Sequence, residues 1–160
     1  MAEGVESMKL AIGCDHGGFQ LKEAIKKHLI GKNIEVEDFG TYSKDSVNFP
    51  GYALKVGNAV TTGNSDLGIL CCGTGIGMSI AANKIAGVRA AVVTDTFSAQ
   101  ATREHNNSNI LCLGERVIGE GLALLIVDTW LAASFQGGRH KERIDQVTDI
   151  EQSRTDSLLC

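Results

Sequence analysis

A chain of 160 residues, 43% hydrophobic and 21% charged, has enough material for one sizeable core and too little for two ordinary domains, which excludes wholesale disorder and fibrous repeats. A formal charge of −4 at pH 7, from 15 Lys+Arg against 19 Asp+Glu, argues against a general polyanion binder, so no nucleic-acid partner is expected, although a local basic site for a small anion is allowed. The opening MAEGVESMKLAIG has no cationic stretch before its apolar residues, and no run reaches the roughly 18 apolar residues of a membrane span, so a soluble cytoplasmic protein with no membrane partner is expected.

Met8 to Cys14 reads as a buried strand, and Gln20 to Leu29 as a helix with Leu21, Ile25 and Leu29 on one face. Ile34 to Phe39 is a second strand. The polar loop GTYSKDSVN then leads to Pro50, which suits the first turn of a helix carrying Tyr52, Val56 and Val60. Leu67 to Cys71 is a third strand, followed by a glycine loop and a helix from about Ser79 to Lys84. Val88 to Val93 and Ile110 to Leu113 read as strands on either side of a helix over Phe97 to His105. The apolar helix Leu122 to Phe135, the pair Gly137-Gly138 and a charged helix from about Lys141 complete the chain.

Strands alternating with helices predict an α/β fold, a single-domain, doubly wound, Rossmann-like parallel sheet of five strands with helices on both faces. The domain spans residues 8–152, and residues 1–7 and 153–160 are expected to be flexible.

The five cysteines, Cys14, Cys71, Cys72, Cys112 and Cys160, form no C-x-x-C pair, and an odd count is a poor disulfide framework, so a reducing compartment is expected. His16, His28, His105 and His140 show no paired spacing with these thiols, and no metal site is predicted.

In sheets of this kind ligands bind beyond the carboxyl ends of the strands, near a topological switch point. Strand one ends in Cys14-Asp15-His16-Gly17-Gly18, strand three in Cys71-Cys72-Gly73-Thr74-Gly75-Ile76-Gly77, and strand five is preceded by Arg103-Glu104-His105-Asn106-Asn107. The loop Gly73 to Gly77 runs from strand to helix, so its amides form an anion-binding nest. It is not a dinucleotide fingerprint, because Met78 stands where the last glycine belongs. No phosphate-loop motif is present, and Met78 and Gly77, six residues after Cys72 and Cys71, exclude a C-x5-R phosphatase loop.

Cys72 precedes this amide-rich turn, where a thiol becomes a usable base, or it is a buried strand-end cysteine; Cys71 points to the opposite face. His105 ends a helix beside two Asn, as either a functional or an ordinary surface histidine. Arg139 and Arg143, four apart, either grip a phosphate together or pair with Glu142 and Asp145.

Taken together, Gly13-Cys14-Asp15-His16-Gly17-Gly18-Phe19, Cys72-Gly73-Thr74-Gly75-Ile76-Gly77, Ala81-Ala82-Asn83-Lys84, Arg103-Glu104-His105-Asn106 and Gly137-Gly138-Arg139-His140 resemble the ribose-5-phosphate isomerase B family, which also acts on allose and galactose 6-phosphates. The resemblance runs from about Met8 to Gln152. It implies a pentose phosphate pathway enzyme that interconverts ribose 5-phosphate and ribulose 5-phosphate through an enediolate, without metal or organic cofactor. By the same resemblance Cys72 is the base that shuttles the C2 proton to C1, and the amides of Gly73, Thr74, Gly75, Ile76 and Gly77, with the Thr74 hydroxyl nearby, hold the enediolate oxygens.

The resemblance further implies that His105 opens the furanose ring, that Asp15 and Asn106 hold sugar hydroxyls, and that His16, Arg116, Arg139 and Arg143 bind phosphate. The family forms homodimers or homotetramers that share active sites, with His105, Asn106 and Arg116 expected across a subunit boundary. Family members that lack the cysteine use a Glu at the position of Met78, so this chain is of the cysteine type. Where the family often has Asp-Tyr-Pro, this chain has Asn48-Phe49-Pro50 and lacks that hydroxyl and carboxylate. The alternatives are isomerisation of a six-carbon aldose 6-phosphate and a non-catalytic sugar-phosphate-binding subunit.

Overall fold

The computed structural model describes residues 7–158. In chain order the elements are β1 (Lys9–Cys14), α1 (Phe19–Gly31), β2 (Glu35–Asp38), α2 (Pro50–Thr61), β3 (Leu67–Cys72), α3 (Ile76–Ala82), β4 (Ala90–Val92), α4 (Thr96–Asn106), β5 (Ile110–Gly114), α5 (Glu120–Ala132) and α6 (Arg139–Glu151). Single 3-10 turns stand at His16–Gly18 and Asp156–Leu158.

The five strands form one parallel sheet in the order β2-β1-β3-β5-β4. From β1 the chain moves outward to β2, then crosses back to place β3 on the other side of β1. The order therefore reverses between β1 and β3, and the crevice beyond their carboxyl ends is the switch point at which such sheets bind ligands.

Alternate residues of the strands supply two cores. Leu10, Ile12, Cys14, Ile69, Cys71 and Leu111 pack with Leu21, Ile25 and Leu29 of α1, Ala99 of α4, and Ile126 and Trp130 of α5. Ala11, Leu70, Cys72, Ile110 and Cys112 pack with Ala53 and Val56 of α2 and Met78 and Ala82 of α3 on the opposite face. Trp130 is fully buried, and its indole N–H donates to Ser108 Oγ at 2.9 Å, which satisfies the one polar atom that burial would otherwise leave unpaired.

Several boundaries differ from those read in the sequence, each for a local reason. The third helix starts at Ile76 and not near Ser79, because Gly75, at φ +78°, turns the chain so sharply that the helix follows at once. The apolar helix ends at Ala132, short of Phe135, where Ala133 is extended and the Gln136 amide donates to the Glu104 carbonyl at 3.0 Å, drawing the chain across to α4. The last helix starts at Arg139, which brings Arg139 and His140 into its first turn. Ladder pairing keeps only Ala90–Val92 of the expected fourth strand.

Of the segments expected to be flexible, residues 1–6, Leu159 and Cys160 lie outside the described residues. Within the remainder, the Arg154 amide donates to the Asp149 carbonyl at 2.7 Å, and the 3-10 turn Asp156–Leu158 follows. No helix among the described residues is long and apolar enough to cross a membrane.

Candidate active site

The carboxyl ends of β1 and β3 meet through glycine. A methyl group on Gly18 would stand 2.4 Å from the Cys71 carbonyl carbon, and one on Gly17 would stand 3.1 Å from the Gly73 nitrogen, so only glycines let the loop after β1 lie across the end of β3. Asp15 caps the 3-10 turn, accepting from the Gly17 amide at 2.8 Å, and its own amide donates to the Cys71 carbonyl at 3.2 Å. His16 is half-buried beside it, with the Val47 amide donating to its Nδ1 at 3.2 Å. Two loops from different strands thus place a carboxylate, an imidazole and a thiol around one crevice.

Cys72 is 5% exposed, and the Gly75 amide donates to its Sγ at 3.0 Å. The sulfur thus sits at the head of the turn with a backbone N–H aimed at it. The other described cysteines are in a different situation. Burial is the first cause that pushes the Cys14 thiol up to about 12 and the Cys71 and Cys112 thiols well above the ordinary value, so these three stay protonated. Cys71 faces the α1 layer and Cys72 the α2 layer, as strand parity required.

The turn after Cys72 is locked from below by β5, since a methyl on Gly114 would stand 2.6 Å from the Thr74 carbonyl carbon. Exposed Thr74 accepts the Ile76 amide on Oγ1 at 3.2 Å, while the amides of Gly73, Thr74 and Gly77 have no acceptor among the described residues. The ring of Phe49 lies against Gly77, 3.1 Å from where a methyl would be, and forms an apolar wall on the first turn of α3. Met78 is wholly buried in the core beneath. What stands at the mouth of the crevice is therefore a thiol with free amides beside it, groups that can in principle take up a proton and hold an oxyanion.

Arg116 corrects one expectation. It was expected across a subunit boundary, yet its guanidinium lies over the crevice of its own chain: a methyl on Gly73 would stand 3.0 Å from one of its terminal nitrogens and a methyl on Gly17 3.4 Å from the other. It is exposed and makes no ion pair among the described residues. Its place follows from β5, whose end runs directly into Glu115 and Arg116, their amides donating to the carbonyls of Cys72 and Gly73 at 2.9 and 3.0 Å.

His105, Asn106, Arg139 and Arg143 are not in this crevice. α4 leaves the carboxyl end of β4 and runs back antiparallel to the strands, so its last residues, His105 and Asn106, reach the amino end of the sheet. The His105 ring stacks on His140 from the first turn of α6, with centroids 4.4 Å apart and planes within 10°. Burial first, and then the neighbouring charges of His105, Arg139 and Arg143, hold the His140 imidazole below its ordinary value, the mark of a concentrated cationic pole.

The pairing of Arg139 and Arg143 with Glu142 or Asp145, one of the two readings left open, is not seen among the described residues. Asp145 is taken by Lys141 at 2.6 Å, and neither arginine has a carboxylate partner among the described residues. His140 is the residue the sequence reading left without a role, although it stands in one of the quoted motifs. The chain thus carries two separate constellations: Asp15, His16, Cys72 to Gly77 and Arg116 at one end of the sheet, and His105, Asn106, Arg139, His140 and Arg143 at the other.

A hollow of about 760 Å³ also lies at the amino end, lined by Lys9, Glu35, Asp66 and Arg103. The Lys9 amide donates to Asp66 at 2.8 Å, and the Lys9 ammonium lies 3.7 Å from Glu35. Among the described residues no group of His, Cys, Asp and Glu is placed to hold a metal ion.

Comparison with known proteins agrees with the geometry. Residues 10–147 match the Ribose/Galactose Isomerase family. The chain is 52% identical over 146 residues to ribose-5-phosphate isomerase B of Escherichia coli, covering 91% of this chain and 98% of the relative. Among solved structures, ribose-5-phosphate isomerase B of Clostridium thermocellum superposes with a TM-score of 0.91 at 54% identity, covering 92% of this chain and 99% of that one. The Mycoplasma genitalium enzyme, solved with bound ribulose-5-phosphate, superposes with a TM-score of 0.86 at 41% identity, covering 91% and 97%. With its sheet order, its thiol beside free amides and these likenesses along nearly its whole length, the chain belongs to the ribose/galactose isomerase family.

Proposed function

We propose that this chain interconverts ribose 5-phosphate and ribulose 5-phosphate through an enediolate, as a cytoplasmic enzyme of the pentose phosphate pathway. The observation that carries the reading is Cys72 Sγ accepting from the Gly75 amide beside the unpaired amides of Gly73, Thr74 and Gly77. The Cys72 thiolate removes the C2 proton of the open-chain aldose and returns it to C1. As the electron pair moves towards the carbonyl, the loop amides stabilise the negative oxygen, and they do so in the transition state more than in the ground state. Thr74 flanks that oxygen with its hydroxyl, and the Asp15 carboxylate, held by the Gly17 amide, orients a sugar hydroxyl.

His16 and Arg116 form one side of the phosphate grip, and the unpaired Arg139 and Arg143 form the other. Since the phosphate is remote from the reacting carbons, its binding energy serves to hold C2 against the sulfur. The assembly is a homodimer, or a pair of dimers, in which His105, Asn106, Arg139 and Arg143 of one copy complete the crevice of the other. Two features support this: the two constellations stand at opposite ends of one sheet, and α3, beside Cys72, leaves Ile76 53% and Ile80 59% exposed. In that arrangement His105 protonates the ring oxygen to open the furanose, and Asn106 holds a second hydroxyl.

The test is an assay of the purified protein on ribose 5-phosphate with allose 6-phosphate in parallel. Conversion of the pentose at the higher kcat/KM is expected. Preference for the hexose phosphate would move the assignment to a six-carbon substrate, and absence of turnover on both would leave a binding protein.

A further inference from the structure

Lys22 is a residue for which the proposed chemistry has no use, yet it is among the largest wholly buried side chains in the protein. Its Nζ lies 2.9 Å from both carboxylate oxygens of Asp38 and 3.2 Å from Glu23, and it donates to the Thr41 carbonyl at 2.7 Å. The rings of Phe19 and Tyr42 close over it, with centroids 5.4 and 5.0 Å away. A buried ion pair is weak evidence for stability, since desolvation consumes most of the Coulomb gain. Neutralising Asp38 does not need Lys22 either, because Lys26 reaches the same carboxylate from the surface at 2.8 Å. What Lys22 does and Lys26 does not is donate to the Thr41 carbonyl, which otherwise accepts only from the Cys14 thiol at 3.7 Å among the described residues.

Thr41 leads to the crevice by two routes. Its amide donates to the Cys14 carbonyl at 2.8 Å and the Cys14 amide donates to the Gly40 carbonyl at 2.7 Å, which fixes the last residue of β1 immediately before Asp15 and His16. Onward from Thr41 the loop reaches Val47, whose amide donates to His16 Nδ1. An N–H at Nδ1 requires that nitrogen to be the acceptor, so the ring proton sits on Nε2, the nitrogen left free to donate to an anion. From this we infer that Lys22 is a positioning residue: through Thr41 and the loop to Val47 it sets both the place and the tautomer of His16, and so the grip on the substrate's phosphate. The inference rests on His16 being a phosphate ligand, as proposed above.

Lys22→Met keeps the length and apolar stem of the side chain and removes the donor to Thr41. Lys26→Met is the control, removing a cation from Asp38 and leaving Thr41 untouched. In the full-length protein Lys22→Met is expected to raise KM for ribose 5-phosphate, and the dissociation constant for inorganic phosphate, about tenfold, the worth of one charge-assisted hydrogen bond, with kcat changed much less. Lys26→Met leaves both within about twofold. NMR of isotope-labelled imidazole nitrogens should show the Nε2–H tautomer of His16 in the wild type and a tautomer mixture in Lys22→Met.

Val47→Pro, which deletes the amide donor and also fixes the local φ, should reproduce the rise in KM and the loss of the single tautomer, and it decides the matter should Lys22→Met fail to fold. Wild-type phosphate affinity in a folded Lys22→Met, wild-type KM in Val47→Pro, or an Nδ1–H tautomer in the wild type would each overturn the inference. Absence of ribose 5-phosphate turnover in the wild type would instead count against the proposed reaction, and the tautomer and phosphate measurements would still judge Lys22 separately.

Discussion

Mixing two inactive variants tests whether a base and an acid at opposite ends of the sheet ever meet. α4 is 11 residues long, about 16 Å, and carries His105 from the carboxyl-end layer, where Cys72 lies, to the amino-end layer. That span exceeds the reach of both side chains together, which is why a second copy is proposed to bring its His105 to the Cys72 crevice. If the crevice is completed by a second copy, Cys72→Ala and His105→Ala homodimers each carry a lesion in every site. In a mixed dimer one site collects both lesions and the other collects neither. Random reassembly of equal amounts makes about half of the dimers mixed, each with one of two sites intact, so activity should recover to about a quarter of wild type. The assay is conversion of ribose 5-phosphate after the two proteins are dissociated together and re-formed, with subunit exchange followed by mass or by a tag. Exchange without recovery would refute the shared site, and recovery well above a quarter would show that one variant was not inactive.

The remaining predictions concern single sites. At pH 8 a thiol raised to about 12 is thiolate in only about one molecule in ten thousand, so iodoacetamide should label Cys72 ahead of Cys14, Cys71 and Cys112, and ribose 5-phosphate should slow that labelling; peptide mass spectrometry reads both. Equal labelling of Cys71 and Cys72 would remove the distinction drawn between them. Arg139→Ala and Arg143→Ala should each raise KM for ribose 5-phosphate about tenfold or more while leaving the melting temperature nearly unchanged, because neither arginine makes an ion pair among the described residues. A melting point lowered with KM intact would point to a structural role. Gly18→Ala, which puts a methyl 2.4 Å from the Cys71 carbonyl carbon, should cost about 1–3 kcal/mol in chemical denaturation and abolish activity, whereas Gly31→Ala, with nothing within 4 Å, should be neutral or slightly stabilising.

What the sequence made legible was whatever depends on local periodicity. Runs such as Leu67 to Cys71 set the strands, and strand parity alone sent Cys71 and Cys72 to opposite layers. The start of α3 was misplaced because Gly77 looked like loop; it is in the helix to make room for the Phe49 ring, a partner 28 residues earlier in the chain. Lys22 was invisible for a related reason. A lysine next to Leu21 on an amphipathic helix reads as solvent-facing, and only the fold brings Asp38 and Thr41 round to enclose it. The stacking of His105 on His140 joins two helices that share no periodic pattern. Arg116 was expected from another copy because a motif carries residue types but not the direction in which a strand delivers them, and the end of β5 brings its guanidinium over the crevice of its own chain.

Cys14, Cys71 and Cys112 each have 0% exposure, and they lie on β1, β3 and β5, the three central strands, with Cys14 directly opposite Cys71 in the ladder. No reagent can reach any of them without parting the sheet. Their slow modification under native conditions therefore reports the free energy of opening at three known places, as amide exchange does, but with one chemical label per strand. If the sheet opens as a unit, the three rates will fall together as stability rises. If the β5 side opens first, Cys112 will outpace the other two, and the order of labelling will map the unfolding of this protein from the middle of its own core.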